Sequence, residues 1–188
     1  MAESLDGTVK RRDGRIDLHF ERHFDAPVER LWAAVSEPKL MEGWLYGPVH
    51  ELEPHEGGKV EILIYPKGKA TVYGKVLRYE PPRLIELTWD VPAWTNLAGE
   101  RIPDFSGTIM RWEVQPDGDG SKLLLTHSLL AEHDWHAHSI VGAWHLHLDG
   151  LPALLAGEPI PAFEEPDFFT MRQKYAEFIG PIEAIDQE

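Results

Sequence analysis

Apolar and polar residues alternate from Arg15 to Phe24. Ile16, Leu18, Phe20 and Phe24 fall on one side; Asp17, His19, Glu21 and His23 fall on the other. A two-residue period predicts a strand with one face in the core. Beyond Asp25-Ala26-Pro27 the period changes. Val28, Leu31, Trp32 and Val35 recur at three- and four-residue spacing, which predicts a short amphipathic helix. Asp25 suits its N-cap and Pro27 its first turn. Ser36-Glu37-Pro38 interrupts it, and residues 39–44 read as a second short helix.

From Gly47 to Leu130 the pattern is that of antiparallel sheet. Apolar runs at 49–53, 59–65, 70–79, 84–89, 108–114 and 122–130 are separated by Gly57-Gly58, by 66–69, by Pro81-Pro82-Arg83 and by 116–120. Strands joined by Gly, Pro and Asp turns make a meander. The stretch 91–106 breaks the pattern with Trp94 and Phe105 among Pro, Asn and Gly, and is expected to be a long loop or lid. Helical spacing returns at 134–156. Ala137, Ile140, Trp144, Leu148, Leu151 and Leu155 share one face; Asp134, His138, Gly142, His145 and Asp149 share the opposite one. Pro152 should kink this helix or start a new one, and Gly157 should end it. Residues 1–14 are polar and read as a loose arm. The tail 158–188 carries eight acids against Arg172 and Lys174, and Phe168, Phe169, Met171, Tyr175, Phe178 and Ile179 predict a final helix in it.

The expected architecture is therefore α+β: one strand, two short helices, a curved antiparallel sheet, and a long C-terminal helix closing its concave face. The expected domain spans residues 15–157, between a flexible arm (1–14) and an acidic extension (158–188). The chain has 188 residues and no cysteine, which excludes disulfides, thiolate metal sites and cysteine nucleophiles. Its formal charge of −14 opposes contact with nucleic acid or an anionic membrane surface, both of which are bound through Lys and Arg. No run of 18 apolar residues occurs, and the N-terminal residues have no signal-like apolar stretch. The cytosol is the expected location, as monomer or homodimer.

Several segments in this order resemble a known family. Phe24-Asp25-Ala26-Pro27 followed by a helix bearing Trp32 resembles its opening motif, and Pro38–Trp44 its second short helix. Gly74-Lys75-Val76 through Tyr79-Glu80-Pro81-Pro82-Arg83-Leu84 resembles a strand, a double proline and the next strand. Leu123–His127 resembles its last strand, and Trp144–Asp149 with Leu151 and Leu155-Ala156-Gly157 its C-terminal helix. The family is the bacterial branch similar to the C-terminal domain of the activator of the heat-shock chaperone ATPase, within the START-like (SRPBCC) superfamily. The resemblance covers about residues 15–157. It departs at Ala143, which separates Gly142 from Trp144, at Pro152, and in the tail.

The resemblance implies a helix-grip fold with a deep apolar pocket between sheet and long helix. The residues suit that on their own account. Of seven tryptophans, Trp44, Trp89, Trp112 and Trp144 sit at inward positions of predicted elements, and Tyr65, Tyr73 and Leu148 can join them. Each indole offers a large apolar area and one polar handle. His127 alternates with Leu123, Leu125 and Leu129, so it should face inward, as a neutral hydrogen-bond partner or as a general base. Glu61 and Arg111 would join it only if the strand registers turn them inward. His138, His145 and Asp149 stand at i, i+7 and i+11, a spacing a metal could use. They share the polar helix face, however, which is expected to meet water, and no metal or cofactor is expected. No nucleophile elbow, phosphate loop or dinucleotide fingerprint occurs. The leading expectation is binding of a small hydrophobic or amphipathic molecule. The alternatives are a cyclase- or hydrolase-like enzyme using His127, and a partner protein of a chaperone ATPase.

Overall fold

The structure is a computed structural model that describes residues 6–12, 14–65, 70–95, 99, 101–162 and 165–179; the side chains of Tyr65, Glu165, Pro166, Phe178 and Ile179 lie outside the described set. The first strand, β1 (Thr8–Arg12), pairs antiparallel with β2 (Arg15–Phe24). Part of the arm expected to be loose is thus a strand, because β2 offers a free edge whose backbone groups need partners. Two short helices follow, α1 (Val28–Ser36) and α2 (Pro38–Leu45). The N-cap of α1 is Pro27 and carries no side-chain cap bond, so Asp25 does not cap it. Pro38 occupies the first turn of α2, where its missing N–H costs nothing.

The sheet continues through β3 (Val49–Leu52), β4 (Lys59–Tyr65), β5 (Ala70–Glu80) and β6 (Leu84–Trp89), then β9 (Thr108–Asp117) and β10 (Gly120–Leu130). Its spatial order is β1-β2-β10-β9-β6-β5-β4-β3. The segment expected to be a loop contains a small separate hairpin, β7 (Trp94–Thr95) with β8 (Arg101–Ile102). The turn expected at 66–69 lies outside the described residues. At Gly74 an added Cβ would stand 2.0 Å from the Thr88 carbonyl oxygen, so β5 can cross β6 here only as glycine. This gives the glycine of the Gly74-Lys75-Val76 motif its reason.

The concave face carries Ile16, Leu18, Phe20, Leu123, Leu125, Met110, Trp112, Leu87 and Val72, all buried. Against it lies α3 (Asp134–Asp149), entered through a 3-10 turn at Ala131–His133. The long helix then ends, and α4 (Leu151–Ala156) starts with Pro152 in its first turn. Gly157, at φ 74°, caps it, in the left-handed region that suits glycine. The last helix, α5 (Glu165–Ile179), packs on the far side of α3. Hence His138, Gly142 and His145, expected to meet water, are buried. That expected solvated face is in fact an interhelical contact. Gly142 permits it: a Cβ there would stand 3.2 Å from the Arg172 backbone nitrogen and 3.3 Å from the Met171 carbonyl carbon.

Candidate functional site

The registers of β6, β9 and β10 set Trp89 beside Thr108, Ile85 beside Trp112, and His127 beside Met110. Trp44 enters from α2 and Trp144 from α3, both fully or nearly fully buried. The four indoles that the sequence placed inward therefore meet. Trp89 and Trp144 lie 5.3 Å apart centroid to centroid, Trp89 and Trp112 6.2 Å, Trp44 and Trp112 6.3 Å, and Trp112 and Trp144 6.4 Å. Most of these contacts are edge-on, the arrangement favoured by the ring quadrupoles. Leu148 is buried beside them on α3.

His127 is completely buried within this cluster. The Trp144 indole N–H donates to its Nδ1 at 3.0 Å, and an indole nitrogen can only donate. The imidazole proton must then sit on Nε2, which donates to Thr108 Oγ1 at 2.9 Å. The Thr108 hydroxyl in turn donates to the Trp89 carbonyl. Both imidazole nitrogens are thus engaged. Burial, reinforced by the positive charge of Arg15 and by His133, pushes the His127 pKa down to about 3. The group is a neutral relay of hydrogen bonds across three elements, with little basicity for proton abstraction.

The other indole handles differ. Trp44 donates to the Ala34 carbonyl at 2.8 Å. The Trp112 Nε1 is buried and has no hydrogen-bond partner among the described residues. His147 donates from Nδ1 to the Trp44 carbonyl at 3.1 Å, and burial pushes its pKa down to about 4. Near Phe105, His133 donates to the Ser106 carbonyl at 2.9 Å, and the Phe105 ring packs on His133 and His136. Burial brings His136 to about 4.

Three residues fall elsewhere. Tyr73 is 48% exposed and lies on the convex face, because buried Val72 takes the inward position beside it. Tyr65 has its side chain outside the described residues. Glu61 and Arg111 alternate with buried Val60, Ile62, Met110 and Trp112, and so face outward; Arg111 pairs there with Glu113 at 2.7 Å and Glu86 at 3.6 Å.

Sequence reasoning missed Arg22. It has the inward parity of Ile16, Leu18, Phe20 and Phe24, and it is only 4% exposed. Its guanidinium carbon lies 5.2 Å from the centre of the Phe20 ring, and Asp149 is 4.0 Å away. Its Nε and Nη2 are buried without hydrogen-bond partners among the described residues. The alternation itself was the signal, had it been followed through a charged residue. An open surface cleft of about 390 Å³ lies beside the β9–β10 turn, lined by His23, Phe24, Asp25, Asp117, Asp119 and Gly120. Among the described residues no set of three His, Asp or Glu is arranged to hold a metal, and no helix is long and apolar enough to cross a membrane.

Residues 25–156 match the family model of the activator of Hsp90 ATPase homolog 1-like proteins. The chain belongs to this family. Its fold is the START-like helix grip. CalU16 from Micromonospora echinospora, as a crystal structure, superposes with a TM-score of 0.68 at 22% identity, covering 94% of this chain and 96% of that one. A conserved protein of unknown function from Enterococcus faecalis, EF2215, gives 0.67 at 19% identity over 92% and 90% of the two chains. The protein encoded by BPP1335 of Bordetella parapertussis gives 0.62 at 26% identity over 94% and 93%. No curated protein matches the chain. The family match begins after β2 and stops at α4, so β1 and α5 both lie outside it.

Proposed function

We propose that this chain binds a small hydrophobic or amphipathic molecule between the sheet and α3, against Trp44, Trp89, Trp112, Trp144 and Leu148. The observation that carries this reading is the Trp112 Nε1. A buried N–H without an acceptor costs about 1–3 kcal/mol, and a guest oxygen reaching it recovers that cost. The neighbouring rings contribute a wide apolar contact. They pack mainly edge to face against one another. His127 serves as a positioning residue that fixes the Trp144 indole. The enzyme reading finds no support in it, since both of its nitrogens are engaged. Partnership with a chaperone ATPase rests on the family description alone, and a fold does not fix a function.

The test is a thermal-shift panel of fatty acids, aromatic carbonyl compounds and polyketide-like phenols, followed by calorimetry on any hit. A binder raises the melting temperature by mass action. Trp112→Phe removes an unpaired donor, which offsets part of the cost of the smaller ring, and should weaken a hit about 5-fold or more. A panel with no shift, or a hit that Trp112→Phe binds equally well, overturns the reading.

A further inference from the structure

Both segments outside the family span meet on the outer face of α3. The backbone N–H of Gly7 donates to the Tyr175 hydroxyl at 2.7 Å, and this hydroxyl lies 2.8 Å from His145 Nδ1. Lys174 of α5 pairs with Asp6. About two turns back toward the N-terminus of α3, Arg172 Nε donates to His138 Nε2 at 2.9 Å. Because arginine only donates, His138 must be neutral, with its proton on Nδ1. That Nδ1 is buried and has no hydrogen-bond partner among the described residues.

We propose that α5 is an acid-released latch, docked on α3 while His138 is neutral and freed when His138 takes up a proton. Protonation gives the ring a second N–H, at Nε2, pointing at the guanidinium N–H that donates to Nε2 in the neutral form. A hydrogen bond becomes a contact of two cations. The groups facing His138 are Arg172 from α5, and Asp134 and His136 from α3. Asp134 is itself held by Arg11 of β1 at 2.8 Å, which weakens its power to stabilise a charged His138. Burial and then Arg172 lower the His138 pKa, in keeping with this geometry.

His145 is the second contact. It faces Tyr175 and Lys174 from α5, Asp149 from α3, Arg22 from β2 and Asp6 from the arm. Two anions oppose two cations there, so His138 is the stronger switch. The sign follows from linkage. A histidine whose pKa is lowered by docking supports the docked state fully above about 6.5 and progressively less as pH falls below it. The inference stands independently of any ligand in the interior.

The experiment is hydrogen exchange of the full chain at pH 7.5 and pH 5.0, corrected for the intrinsic pH dependence, with β10 as internal reference. Protection of residues 167–177 should fall at pH 5.0 by up to about thirtyfold, the most that a histidine of free pKa about 6.5 can contribute there, beyond the loss of global stability that β10 reports. His138→Gln, which accepts from Arg172 at any pH, should abolish most of that fall. Arg172→Gln, at an exposed position, should flatten it and move the His138 titration midpoint up. Unchanged protection of α5 in the wild type overturns the latch. So does an equal fall in the wild type and both variants.

Discussion

At the residue scale, His127 shows how a titratable group can be held out of titration. Its two nitrogens join Trp144 on α3 to Thr108 on β9, and through Thr108 to the backbone of β6. His127→Ala should therefore orphan an indole N–H and open a void. The expected loss is about 3–5 kcal/mol in urea denaturation. Acid sensitivity follows from the same burial. His127 is lowered to about 3, and His136 and His147 to about 4, from the usual 6.5. Stability from these groups is complete above pH 6.5 and is lost as pH falls toward 3–4, at about 1.4 kcal/mol per pKa unit for each. Denaturation midpoints at pH 7.5, 5.0 and 4.0 should fall steeply, and the His127 ring protons should not titrate above about pH 4. The inward position of His127 was legible in its alternation with leucines. Its partners were not, because Thr108 and Trp144 reach it only through strand pairing and helix docking.

At the element scale, α3 is the informative case. Its apolar face was read from spacing, and Ala137, Ile140, Trp144 and Leu148 do lie against the sheet. The other face was expected to meet water because it is polar. Between Asp134 and Asp149 at its ends it holds His138, Gly142 and His145, and those small or neutral groups can be buried when another helix satisfies them. Gly142 sets how close α5 comes. Gly142→Ala adds helix propensity worth about 1 kcal/mol but forces α5 outward by a few tenths of an ångström. The expected result is faster exchange in α5 with little change in the sheet. The break between α3 and α4 was legible in Pro152, since a proline fits a first turn and not a helix interior.

At the scale of the whole molecule, Tyr175 joins the two ends of the described chain. It is fully buried, and its hydroxyl stands between Gly7 and His145. Tyr175→Phe keeps the ring and removes that junction. It should cost about 1–3 kcal/mol and raise exchange in β1 and α5 together; a rise in only one would show that the ends are fastened separately. Period-two and period-3.6 patterns, with their Gly and Pro stops, were enough to determine the strands of the main sheet from β2 onward, the short helices and the inward tryptophans. Those features depend on neighbours a few residues apart, which the chain states directly. The tertiary structure alone decided that Tyr73 faces out, that Phe20 and Asp149 are what Arg22 packs against, and that the two ends meet over α3. Each of these depends on which distant surface comes to cover a residue, and burial of a polar group is settled by the partner that arrives, not by the residue's own place in a pattern.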